Sequence, residues 1–180
     1  TGVLRYDGEN FFQYAKDEGF LWGRVTSMLE DRKGNIWFAS PSGVCYYDGI
    51  HFVHLDLEEG YGWQRYRGLM EDSQGNIWFA KKKVYRYDGT QLTVFDDRHG
   101  LVPDPEIKQD ANSYWISDIL EDRQGNIWWL TCGYGVLRYD GQTITRITTK
   151  EGLIDNFIVT AIEDKQGNIW FGSGGWGITG

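Results

Sequence analysis

The sequence predicts an all-β protein, a β-propeller of four blades with four antiparallel strands in each blade. Three observations predict this fold: a motif that recurs four times, short runs of β-branched and aromatic residues between turn signals, and one repeat that is divided between the two termini. Repeats of about 40–50 residues with four short strands are typical of propellers. No stretch has a helical period of useful length.

The recurring motif is Glu-Asp-x-x-Gly-Asn-Ile-Trp, at residues 30–37, 71–78, 121–128 and 163–170. Its glycines recur at intervals of 41, 50 and 42 residues. The Asp can accept hydrogen bonds from turn N–H groups, and the Gly can take the positive φ of a hairpin turn. We therefore interpret the motif as structural, and its framework residues are Asp31, Gly34, Trp37, Asp72, Gly75, Trp78, Asp122, Gly125, Trp128, Asp164, Gly167 and Trp170.

Each unit is predicted to contain four strands. In the first unit these are residues 24–30, 35–40, 43–48 and 51–56, which are rich in Val, Phe and Tyr and are separated by turns that contain glycine. The motif Trp lies on the second strand, and we expect it to pack against the neighbouring sheet. Burial of one such ring contributes roughly 5 kcal/mol before conformational entropy is subtracted.

A second motif, Tyr-Asp-Gly, ends at Gly49, Gly89 and Gly141 in the first three units, and its fourth copy ends at Gly8, near the N-terminus. A repeat that is split between the termini predicts a closed ring, in which N- and C-terminal strands share one blade. The chain is then a single domain, residues 1–180, whose blades are predicted at about 24–56, 65–96, 115–148, and 157–180 plus 1–15.

The last residues overlap the first in this alignment, because the segment 177–179 matches the same strand start as the segment 2–4. Three arrangements remain open. The surplus tail frays in a closed four-bladed ring, the chain is part of a longer array, or two chains combine into an eight-bladed ring.

Composition excludes several classes of partner. The chain has 180 residues, is 41% hydrophobic and carries a formal net charge of −8, so nucleic acid is not an expected partner. No apolar run approaches the length of a membrane span, and no membrane insertion is expected. Cys45 and Cys132 lie at non-equivalent places in the repeat, so we expect no disulfide, and we expect no metal or other cofactor.

Two segments, EDRQGNIWWLTCGYGVLRYDG at 121–141 and TKEGLIDNFIVTAIEDKQGNIWFGS at 149–173, resemble the two-component regulator propeller repeat. That family occurs in the sensor regions of bacterial hybrid histidine kinases. The resemblance implies a propeller fold, a ligand-binding sensor role, and a periplasmic or extracellular location. It concerns the blade framework, which does not fix function.

Loops that join successive blades are expected to gather on one face around the axis, where a propeller presents a pocket. Aromatic rings and guanidinium groups there could stack a sugar and hold a carboxylate or sulfate. The candidate ligand-binding residues are Trp22, Arg24, Trp63, Arg65, Tyr114, Trp115, Asp155, Phe157 and Trp176. In the competing interpretation, the aromatic residues only plug the channel.

The sequence therefore favours a non-enzymatic module that binds a carbohydrate or small anionic ligand at an axial funnel. The three histidines, His51, His54 and His99, are scattered, and no nucleophile motif is present. The first alternative is a lyase or glycan hydrolase that acts at the same funnel. The second is an assembly unit that self-associates through open blade edges.

Overall fold

The computed structural model describes residues 2–14, 19–20, 24–57, 66–101 and 115–174. These residues form sixteen β-strands and a single 3₁₀ turn, Asp97–His99, and no α-helix lies among them. The all-β prediction is confirmed. Among the described residues there is accordingly no helix with the length and apolar character that crossing a membrane requires.

The described chain begins and ends with a two-stranded hairpin, and three four-stranded sheets lie between them. In each sheet, consecutive strands pair in antiparallel fashion. The N-terminal hairpin consists of β1 (Val3–Tyr6) and β2 (Phe11–Tyr14). Blade 1 consists of β3 (Ser27–Glu30), β4 (Ile36–Ser40), β5 (Gly43–Tyr47) and β6 (Phe52–His54). Blade 2 consists of β7 (Arg67–Glu71), β8 (Ile77–Ala80), β9 (Val84–Tyr87) and β10 (Leu92–Phe95). Blade 3 consists of β11 (Ile116–Glu121), β12 (Ile127–Thr131), β13 (Val136–Tyr139) and β14 (Ile144–Ile147). The C-terminal hairpin consists of β15 (Ile158–Glu163) and β16 (Ile169–Ser173).

The two terminal hairpins pack against opposite ends of the row of blades. Val3 of β1 packs against the core of blade 1, and Phe171 of β16 packs against the core of blade 3. Among the described residues, β1 and β16 do not pair with each other, and each hairpin is a separate sheet. The predicted blade shared by the two termini is therefore not found in this part of the chain, and closure of the ring stays a prediction.

The motif Asp organises the turn between the first and second strands of each blade. Oδ1 of Asp31 accepts hydrogen bonds from the backbone N–H groups of Lys33 (2.9 Å) and Asn35 (2.8 Å). Its Oδ2 accepts from the Asn35 side-chain amide and from the Trp37 indole, both at 2.8 Å. Gly34 has a φ of 85°, which a residue with a side chain rarely adopts. Equivalent bonds occur in the other three copies of the motif.

Three of the four motif tryptophans lie between sheets. Trp37, Trp78 and Trp128 are 2%, 2% and 8% exposed, and each belongs to a core cluster that includes side chains of the following blade. Trp170 differs, because it is 63% exposed. The face of the C-terminal hairpin that carries Trp170 has no sheet against it within the described residues, so the predicted packing is not seen there.

The motif Glu links neighbouring blades, a role that the sequence analysis did not assign. Oε2 of Glu71 accepts a hydrogen bond from the backbone N–H of Arg32 in the preceding blade (2.9 Å). Glu121 accepts in the same way from Ser73 (2.6 Å), and Glu163 accepts from Arg123 (2.9 Å). Each of these carboxylates therefore fastens the turn of one blade to the first strand of the next.

Candidate ligand pocket at the first strands of the blades

A cavity of about 350 Å³ lies where the first strands of blades 1, 2 and 3 begin. Its volume is at the lower end of the range for small-molecule sites, about 300–1,000 Å³. All three of these strands contribute to the wall, as expected for a pocket at the axis of a propeller. The lining residues are Arg24, Val25, Thr26, Ser27, Arg67, Gly68, Ser117 and Asp118.

Irregular strand starts shape the wall of this pocket. The pairing of β7 with β8 shifts register between Arg67 and Met70, and that of β11 with β12 shifts between Ile116 and Asp118. Such bulges change the direction of the side chains next to them. Gly68 lies in the first bulge with a φ of 64°, and a Cβ there would be 2.9 Å from Ile119, so this part of the wall requires glycine.

Two hydroxyl groups of the lining hold adjacent first strands together. The hydroxyl of Thr26 donates to the carbonyl oxygen of Tyr66 (2.6 Å), at the start of blade 2. The hydroxyl of Ser117 donates to the carbonyl oxygen of Ile158 (2.6 Å), in the C-terminal hairpin. Since each hydroxyl proton is used by the backbone, these groups offer a ligand their acceptor lone pairs.

The charged groups of the lining are the guanidinium groups of Arg24 and Arg67 and the carboxyl group of Asp118. Burial raises the pKa of Asp118, and the hydrogen bond that it accepts from the Ile119 N–H (2.9 Å) offsets part of this effect. Within the described residues, no Lys or Arg forms a salt bridge with Asp118. The pocket therefore combines donors for an anionic group with a carboxyl group that can bond hydroxyls.

The predicted site residues fall into three groups. Arg24 lines the pocket. Trp115 and Phe157 meet edge to face, with ring centroids 6.0 Å apart, at the junction of blade 3 with the C-terminal hairpin. Asp155 accepts a hydrogen bond from the Phe157 N–H (3.0 Å) and so stabilises a turn. The other predicted site residues, Trp22, Trp63, Arg65, Tyr114 and Trp176, lie outside the described residues.

The predicted site residues did not include Arg67, Ser117 and Asp118. Most of the predicted candidates lie six or eight residues before a motif Glu, whereas Arg67, Ser117 and Asp118 lie three or four residues before it. The missing signal was the bulge, which brings residues inside the strand to the pocket. Arg67 could have been noticed, because it places a cation at the start of the first strand of blade 2.

Stacked antiparallel blades around a shared pocket define a β-propeller. Residues 19–42 and 152–175 match the two component regulator propeller family. The chain is thus a β-propeller by fold, and the resemblance inferred from its motifs is confirmed over these two segments.

Comparison with solved structures supports the same fold. The extracellular domain of a putative one component system from B. thetaiotaomicron superposes with a TM-score of 0.72 at 17% identity. That match covers 96% of this chain and 24% of the other. The surface component PorZ of the type-IX secretion system of Porphyromonas gingivalis gives a TM-score of 0.64 at 14% identity, covering 92% of this chain and 27% of PorZ.

Virginiamycin B lyase from Staphylococcus aureus, in a catalytically inactive form with Quinupristin, gives a TM-score of 0.63 at 15% identity. The match covers 92% of this chain and 53% of the lyase. At these identities the similarity concerns the fold alone. The chain spans about a quarter of the length of the B. thetaiotaomicron domain. The comparison with curated proteins gives no match.

Proposed function

We propose that this propeller is a non-enzymatic, sensor-type module that binds a small anionic carbohydrate, such as a sugar acid, in the pocket at the first strands. The observation that carries this proposal is that two guanidinium groups and one half-buried carboxyl group surround a cavity of about 350 Å³. A ligand carboxylate or sulfate fits the two guanidinium groups, and the hydroxyls of a sugar ring fit the carboxyl group of Asp118. The extracellular neighbours support a periplasmic or extracellular location.

The predicted aromatic residues extend this proposal. Trp115, beside the pocket-lining Ser117, is close enough in sequence for its ring to lie at the rim, and Arg24 already lines the wall. An aromatic face at the rim would stack against a sugar ring. The remaining candidates, Trp22, Trp63, Arg65, Tyr114 and Trp176, stay part of the proposal.

Calorimetric titration with glucuronic acid and with a short oligomer of it tests the proposal. We expect saturable binding to the unaltered chain that weakens as salt is added, because screening reduces the attraction between the ligand carboxylate and the guanidinium groups. Arg67→Ala should weaken binding about tenfold, equivalent to ~1.4 kcal/mol. Lys33→Ala is the matched control, since it removes one positive charge from the turn at the far end of β3.

Equal weakening by Arg67→Ala and Lys33→Ala would refute recognition in the pocket, as would the absence of saturation with both probes. Analysis of the same samples for cleavage products tests the lyase and hydrolase alternatives. A glycan hydrolase requires two carboxyl groups that flank the bond, and the described lining contributes Asp118.

A further inference from the structure

The two terminal hairpins carry much of the large apolar surface that the described structure exposes. In the N-terminal hairpin, Leu4 is 63% exposed and Phe11 is 70% exposed. In the C-terminal hairpin, Ile162 and Trp170 are each 63% exposed. Soluble proteins rarely leave contiguous apolar faces uncovered. Both ends of the row of blades therefore have the character of interfaces.

The open strand edges of these hairpins are complementary in sequence. β1 has the sequence VLRY, which is identical to that of β13, the strand that pairs with β12 in blade 3. β16 is the counterpart of β12, because each follows a copy of the same motif turn. Transfer of the blade 3 register, in which Ile127 pairs with Tyr139, would place Ile169 of β16 opposite Tyr6 of β1.

The apolar contacts of the blade junctions also leave one pair unmatched. In each formed junction, the motif Trp shares a core cluster with the residue two places before the motif Glu of the next blade. These pairs are Trp37 with Leu69, Trp78 with Ile119, and Trp128 with Ala161. The remaining members of this series are Trp170, which is 63% exposed, and Met28, which is 62% exposed.

The glutamate links leave an unmatched pair of the same kind. Glu71, Glu121 and Glu163 each accept from the turn of the preceding blade. The remaining members are Glu30, in blade 1, and the backbone N–H of Lys165, in the C-terminal turn. Within the described residues, neither the side-chain carboxylate of Glu30 nor the backbone N–H of Lys165 has a hydrogen-bond partner.

We propose that two copies of this chain associate head to tail, with β16 of one copy paired to β1 of the other, to form a closed ring of eight blades. One junction then satisfies three features together: the strand edges, the Trp170–Met28 pair and the link from Lys165 to Glu30. Each copy supplies three complete blades and two halves, and eight blades lie within the range of known propellers. The two-fold symmetric ring has two identical junctions, and it leaves neither β1 nor β16 with an open edge.

This association is independent of the proposed ligand. Sedimentation equilibrium of the 180-residue chain should give about twice the 20.8 kDa mass of one chain. Trp170→Lys and Met28→Lys should each return the mass to that of one chain with the far-ultraviolet spectrum unchanged, because both side chains are exposed in the single copy. Ile50→Lys, at a turn position that is 76% exposed, is the control and should leave the dimer intact.

Engineered cysteines distinguish the dimer from a four-bladed ring closed within one chain. A mixture of the single variants Tyr6→Cys and Ile169→Cys should form a disulfide-linked species of twice the single-chain mass under mild oxidation. Closure within one chain would give no such product from the mixture, and the double variant would cross-link without a change of mass. That result, a single-chain mass for the unaltered protein, or a dimer that survives Trp170→Lys would overturn the proposal.

Discussion

The indole nitrogen of Trp78 donates a hydrogen bond of 2.7 Å to Oδ2 of Asp72, six residues earlier in the chain. The other carboxylate oxygen of Asp72 accepts from the backbone N–H groups of Gln74 and Asn76. One side chain thus fixes both the turn and the direction of a ring that is 2% exposed between two sheets. This connection explains why the motif needs Asp and Trp at a fixed spacing.

Asp72→Ala should lower the free energy of unfolding by about 3 kcal/mol, because it leaves buried donors, including the Trp78 indole, without an acceptor. Urea denaturation followed by tryptophan fluorescence measures the change. Asp164→Ala is the matched control, since Asp164 makes the same bonds to a Trp that is 63% exposed and water can replace them. Equal losses in the two variants would contradict this account.

Acid should destabilise the fold between about pH 4 and pH 2. Hydrogen bonds from Gln91 and Thr90 lower the pKa of Asp88 to about 2, and bonds from Thr143 and Gln142 lower that of Asp140 to about 2. Carboxyl groups in the unfolded chain have a pKa of about 3.9. A group whose pKa is lower in the folded state contributes stability above the unfolded value and loses it as the pH falls.

Asp31 and Asp122 act in the same direction, since burial raises the pKa of each but hydrogen bonds from the motif Trp and Asn outweigh it and lower the pKa. Asp118 has the opposite sign, because burial raises its pKa and its contribution is lost as the pH rises. Urea midpoints measured at pH 7, 4.5 and 3 test the balance. A midpoint that is unchanged at pH 3 would show that the turn carboxylates do not stabilise the fold.

Gly135→Ala should destabilise blade 3 by about 3 kcal/mol or more, because two effects combine. Gly135 has a φ of 76°, and a Cβ there would lie 2.2 Å from the carbonyl oxygen of Ile147. Gly141→Ala separates these effects, since Gly141 has a φ of 97° and open space around it. Backbone strain alone should cost that variant about 1 kcal/mol, and thermal unfolding of both proteins measures the difference.

The two cysteine thiols should be inert towards a disulfide reagent in the native protein. Cys45 and Cys132 are 0% and 2% exposed, and burial raises the pKa of Cys132, which lowers the fraction of reactive thiolate. An aromatic disulfide releases a coloured aromatic thiolate when a protein thiol attacks it. At pH 8, absorbance should show slow release of this thiolate without denaturant and rapid reaction of two protein thiols in urea. Rapid reaction of the native protein would show that the structure around Cys45 and Cys132 opens readily.

The sequence was sufficient to predict the strand pattern of each blade, because the turn motif and the alternation of apolar residues act locally. It also placed the motif Trp at the sheet contacts, which holds for Trp37, Trp78 and Trp128. The exposure of Trp170 could not be predicted from the motif, since burial depends on which sheet lies opposite. The repeat sequence determines which face of a blade is apolar, and the adjacent sheet determines whether that face is buried.

The pocket was harder to predict for a geometric reason. Arg24, six residues before the motif Glu, was among the predicted residues and lines the pocket. Register shifts near Arg67 and Ser117 bring different residues to the axis. A bulge depends on how two strands pair, and no single residue type in this sequence predicts it.

The three glutamate links all run in one direction along the chain, since Glu71, Glu121 and Glu163 each accept from the turn of the preceding blade. Synthesis on the ribosome proceeds from the N-terminus. The turn N–H of a new blade therefore gains its glutamate acceptor only after the first strand of the next blade has been made. The glutamate links between blades can therefore form in the order in which the blades are synthesised.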